Sequence, residues 1–153
     1  MQIMVSIGGY GAHGAEPVTL LALRDARTGV LAVHKKVSFK EAPLPGFAFV
    51  TNLRLSNYDC FFREQDFSAA IRTFRECEGA GTIVLSDETA RYRPRIETDG
   101  INESGQKYRL ATDLGNGEVA ILALAHFLER QRGVHSTESL IDRMAKMYAI
   151  VSI

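Results

Sequence analysis

VTLLALRDARTGVLAVHKKVSF, residues 18–39, holds two apolar runs, 18–23 and 30–33, around Arg24-Asp25-Ala26-Arg27-Thr28-Gly29. An aspartate bonds its own backbone a few residues on, and a glycine takes positive φ without steric penalty, so the break reads as a hairpin turn. Two antiparallel strands are expected, over 18–23 and 30–38, joined through Asp25 to Gly29. Downstream, Pro43, Pro45 and Gly46 punctuate the chain before residues 47–55. There Phe47, Phe49, Leu53 and Leu55 alternate with Ala48, Asn52 and Arg54, the period of a half-buried strand. Upstream lies another strand-like segment. The first third therefore predicts an antiparallel β-meander built from consecutive strands.

Helical periodicity follows. Phe67, Ile71, Phe74 and Cys77 fall on one face, Asp66 or Ser68 stands where a cap belongs, and Gly79-Ala80-Gly81 supplies the stop. Residues 82–85 read as a short strand. Segments 90–97 and 107–111 read as the arms of a second hairpin around a long polar loop, 98–106, with Pro94 suited to an edge or bulge. Residues 117–132 are rich in Ala and Leu, with an apolar stripe wide enough for burial between layers. Ser136 opens a final helix in which Leu140, Met144, Met147 and Val151 share a face. Strands early and helices late make a single α+β domain over 1–153. It carries an N-terminal antiparallel β-meander, a central helix, a second β-hairpin and two C-terminal helices packed on the sheet.

The 153 residues suit one domain, and 46% apolar and 24% charged residues match a globular chain. Eighteen Lys and Arg balance eighteen Asp and Glu, so overall charge singles out neither nucleic acid nor an anionic membrane. Cys60 and Cys77 form neither a C-x-x-C pair nor a zinc spacing, and read as buried free thiols of a reducing compartment. The N-terminus lacks a basic region ahead of its short apolar run, so no secretory signal is expected. The apolar stretch 119–128 is about half of what a bilayer requires. A cytoplasmic protein with no membrane partner is the expectation.

Three features carry chemistry. Gly9-Tyr10-Gly11-Ala12-His13-Gly14 matches G-x-G-x-x-G after a strand. Nucleotide binding there requires a helix over 15–26, to present its N-terminus to a pyrophosphate. The hairpin reading of 18–38 opposes that helix, and a flexible glycine turn is the plainer expectation. Arg91, Arg93 and Arg95 alternate, so on a strand they would line one face, with Lys107 and Arg109 opposite them on the return arm. Such a ribbon would suit an acidic partner, although Asp87, Glu88, Glu97, Asp99 and Glu103 neutralise the segment. Finally, Asn57-Tyr58-Asp59-Cys60-Phe61-Phe62-Arg63 concentrates aromatics. Phe61 and Phe62 suit the end of the core, while Tyr58 and Arg63 suit an exposed contact.

The basic run from Arg24 to Lys40 splits over both strand faces, as a solvated surface would. His13, His34, His126 and His135 show no metal-ligand spacing, and His126 reads as a core histidine bonded to backbone. No nucleophile motif or P-loop lysine is present, and no cofactor or metal is expected. The sequence thus predicts a non-enzymatic binding protein whose partner is a protein or ribonucleoprotein with an acidic surface. A short chain of this kind fits a small inhibitor or regulator such as phages and mobile elements encode, anti-CRISPR-like or immunity-protein-like. A nucleotide-binding enzyme using the glycine loop is the alternative, and nucleic-acid binding through the arginine ribbon the third.

Overall fold

Gln2–Ile7 forms β1, and every residue after Gln2 in it is buried. A strand covered on both faces belongs inside a sheet. The computed structural model describes residues 1–55, 57–102, 105–110 and 113–131, with side-chain surroundings given outside 97–110. In it β1 is an inner strand of a six-stranded sheet. The other strands are β2 (Val18–Arg24), β3 (Leu31–Val37), β4 (Phe47–Thr51), β5 (Cys60–Phe61) and β6 (Ile83–Leu85), and the spatial order is β5-β4-β1-β2-β3-β6. β2 is antiparallel to both β1 and β3, while the β1–β4, β4–β5 and β3–β6 pairs are parallel. Only β2 therefore runs against the rest.

The first hairpin forms where the sequence places it. Asp25 Oδ1 accepts the N–H groups of Arg27 and Thr28 at 2.7 and 3.2 Å, and Gly29 takes φ 73°. The meander then ends, which corrects the expected order. Instead of pairing beside β3, the chain passes over β2 and β1 through residues 38–46, and β4 pairs on the far side of β1.

Hydroxyls hold that crossing. Ser6 Oγ donates to the Lys40 carbonyl at 3.0 Å, the Lys40 N–H donates to Thr19 Oγ1 at 3.2 Å, and the two buried hydroxyls lie 2.7 Å apart. Leu44, Val37, Phe47 and Leu55 pack over Met4, Leu21 and Phe49, a small core on this face of the sheet.

The opposite face carries the main core. Ile3, Val5, Ile7, Leu20, Leu31, Val33 and Val50 meet two helices, α1 (Phe67–Ala80) and α2 (residues 116–131). α1 buries Ile71, Phe74 and Cys77 and stops at Gly81, φ 70°, whose N–H caps the carbonyls of Cys77 and Glu78. A 3-10 turn, Glu64–Asp66, precedes it, and the Asp66 carboxylate accepts the Arg63 N–H at 2.9 Å rather than capping α1. Burial all along 119–125 on α2 matches the wide apolar stripe read in its sequence.

The second hairpin differs from the expectation. Its strands are β7 (Ile96–Asn102) and β8 (Gly105–Leu110), so pairing runs through what read as a long polar loop, and Asn102 pairs with Gly105. Residues 90–95 are not an arm of it. Thr89, fully buried, donates its hydroxyl to the Val33 carbonyl at 2.7 Å, and a 3-10 turn, Ala90–Tyr92, follows. That anchor turns the chain before a strand can start. The final helix read over Leu140, Met144, Met147 and Val151 lies outside the described residues. Cys60 and Cys77 are free and buried. Among the described residues, no helix is long and apolar enough to cross a membrane.

Candidate binding surfaces

The arginine ribbon does not exist as a ribbon. Arg91 lies in the 3-10 turn, its guanidinium 4.7 Å from the Tyr92 ring centroid and bonded to the Tyr92 hydroxyl. Arg93 Nε donates to Glu78 Oε2 at 2.6 Å, across to α1. Arg95 bonds both oxygens of Glu118, at 2.9 and 2.8 Å, and Asp113 Oδ2 at 3.1 Å. The bonds to Arg93 and Arg95 hold Glu78 and Asp113 below the usual carboxylate range. Burial pushes Glu118 upward, but the Arg95 and Gly115 bonds outweigh it and leave it lowered. Two of the three charges are thus committed to joining β7, α1 and α2. Arg109 is in register with Glu97 rather than with Arg91–Arg95, and the side chains of Lys107 and Arg109 lie outside the described residues.

The glycine loop is a stapled turn. Gly9, Gly11 and Gly14 take φ of 91°, 89° and 80°, but β2 occupies the place of the helix a dinucleotide site needs. Two asparagines hold its ends. Asn52 accepts the Gly8 N–H at 3.0 Å and donates to its carbonyl at 2.7 Å, extending the β1–β4 pairing by one side-chain amide. Asn116, at the start of α2, accepts the Tyr10 N–H and donates to the Glu16 carbonyl, both at 2.8 Å. A concavity of about 370 Å³ lies between this loop and α2. Glu118, whose Oε1 accepts the Gly115 N–H at 3.3 Å, places a carboxylate at the helix start, where an anion would sit. Neither asparagine was legible as a staple, because each contacts residues far away in the chain.

The aromatic segment departs from its sequence reading at Phe61, which is half-buried and sides with Tyr58 and Arg63 instead of entering the core with Phe62. Phe62 is buried, stacked 5.1 Å from Phe67, and plugs the core beneath α1. Tyr58 is half exposed. Its ring pairs with Phe61 at 5.5 Å, and the Arg63 guanidinium stands 5.9 Å from the Phe61 centroid. Arg54 and Leu55 complete a shallow concavity of about 470 Å³ at the β5 edge of the sheet. Arg54 escaped the sequence reading because it was assigned to the strand alternation of 47–55, whereas β4 ends at Thr51. Its basic partner across the patch, Arg63, was the available signal.

Lys35 and Lys36 are exposed, as the split between strand faces implies. His126 meets a side chain where backbone partners were expected, its Nε2 lying 3.7 Å from Asp66 Oδ2. Among the described residues, no three His, Cys, Asp or Glu side chains gather as a metal site. Comparison with protein-family models, curated proteins and solved structures finds no match, so geometry alone carries the functional reading.

Proposed function

We propose that the protein is a binding module that engages an acidic protein surface through Tyr58, Phe61, Arg54 and Arg63. The observation behind this reading is the β5-edge patch, two neighbouring rings with arginines at its margin. Tyr and Arg supply a large share of binding energy at protein interfaces, because each buries wide area and makes directed polar contacts. A protein partner is favoured over nucleic acid because the patch sets two rings between separate arginines, Arg54 and Arg63, rather than the continuous basic track a phosphate backbone calls for. A small inhibitor or regulator, of the anti-CRISPR-like or immunity-protein-like kind that phages and mobile elements encode, is the role we assign. A reducing cytoplasm suits its two buried thiols.

The test is capture of partners from the native host by the wild-type chain and by a Tyr58→Ala/Arg63→Ala variant, with nuclease treatment in parallel. A stoichiometric protein that survives nuclease and is lost with the variant supports the reading. Loss on nuclease treatment would replace it with single-strand stacking on the same rings.

A further inference from the structure

A continuous chain of contacts joins His126 to the β5 patch. On α2, the His126 side chain is 13% exposed, and its ring tilts against Phe62 with centroids 5.6 Å apart. Its Nε2 stands 3.7 Å from Asp66 Oδ2. The same carboxylate oxygen accepts the Arg63 N–H at 2.9 Å, and the Arg63 guanidinium lies against Phe61, the ring partner of Tyr58. One oxygen thus faces both a titratable ring and the backbone that positions the patch.

We infer that His126 is a proton-controlled latch on the patch: when the ring takes a proton from solvent, Asp66 Oδ2 turns to the imidazolium and releases the Arg63 amide. The turn that holds Arg63 beside Phe61 then loosens. Deprotonation restores it. The consequence for partner binding rests on the function proposed above, whereas the latch itself does not.

The surroundings set the working range. Burial lowers the proton affinity of His126, Asp66 from the 3-10 turn opposes that, and Arg130, one turn further along α2, adds to it. Arg130 is also directed at Cys60, Nη1 to Sγ at 3.6 Å, with Asp59 near the same thiol. Beyond Phe62, Phe67 separates His126 from Tyr10, whose hydroxyl faces Glu64. Asp66 is therefore the acceptor within reach of a charged His126 ring. The latch opens below the ordinary histidine value of about 6.5.

NMR of the full chain between pH 7.5 and 5 tests this without a partner. The Arg63 amide and Tyr58 ring resonances should move with the same midpoint as the His126 ring. In Asp66→Asn, His126 should still titrate, at lower pH, while the step at Arg63 disappears. In His126→Gln, both patch resonances should hold still across the range. Arg63 and Tyr58 signals that stay flat through the His126 midpoint would overturn the latch, as would a step that persists in His126→Gln. Should that variant fail to fold, the wild-type midpoints and Asp66→Asn decide. A partner that docks elsewhere would end the proposed function and leave these midpoints coincident.

Discussion

Gly117 sits where a side chain has no room. A Cβ there would fall 2.0 Å from Tyr92 Cδ1, so the Tyr92 ring lies directly on the start of α2. Gly117→Ala forces that ring away, and overpacking of this kind costs about 1–3 kcal/mol. Urea unfolding should show a lower midpoint with an unchanged slope. The three arginines separate at the same scale. Arg95→Ala removes the bonds to Glu118 and Asp113 and should lower the melting temperature. Arg91→Ala loses only an exposed contact with Tyr92 and should leave it nearly unchanged. Equal melts for the two variants would contradict this division. Alternation made Arg91, Arg93 and Arg95 look alike; the carboxylate partners of Arg93 and Arg95 lie 15 and more positions away in the chain, whereas Arg91 bonds its neighbour Tyr92.

At the scale of elements, what read clearly was what neighbours in sequence decide. The β2–β3 turn is fixed by Asp25 and Gly29, and the end of α1 by Gly81, so both were legible. The route from β3 to β4 was not, because Pro43, Pro45 and Gly46 mark a break without saying where the next strand pairs. That choice rests on Ser6 and Thr19, two small polar residues in strands that gave no sign of holding Lys40. Thr19→Val keeps the side-chain shape but leaves the Lys40 N–H without its acceptor. An unsatisfied group of this kind costs about 1–3 kcal/mol. Hydrogen exchange should rise first in residues 38–46; uniform change across the sheet would argue against a local anchor. For the second hairpin, the charges of 98–106 suggested a loop, yet pairing with Gly105–Leu110 made most of it a strand.

For the whole molecule, the lowered groups predict a two-step acid profile. His126 binds its proton more weakly folded than unfolded, so stability is full above about pH 6.5 and declines as pH falls below it. Glu78, Glu118 and Asp113 are also lowered, from ordinary values of 4.5, 4.5 and 3.8, and their contribution is lost as pH falls through and below those values. Denaturant midpoints taken from pH 8 to 3 should show both steps, and His126→Gln should remove the upper one alone. An unchanged upper step would assign it to another group. The sheet, with β1 buried at its centre and helices on one face, carries at its β5 edge the Tyr58–Phe61 ring pair with Arg54 and Arg63. An amide-shift footprint of the captured partner on the isotope-labelled chain tests that assignment most directly. Shifts centred on residues 54–63, with Tyr58→Ala weakening binding by about 2 kcal/mol, are the expected result. A footprint on Arg91–Arg95 or on the glycine loop 8–14, with Tyr58→Ala binding as wild type does, would contradict it.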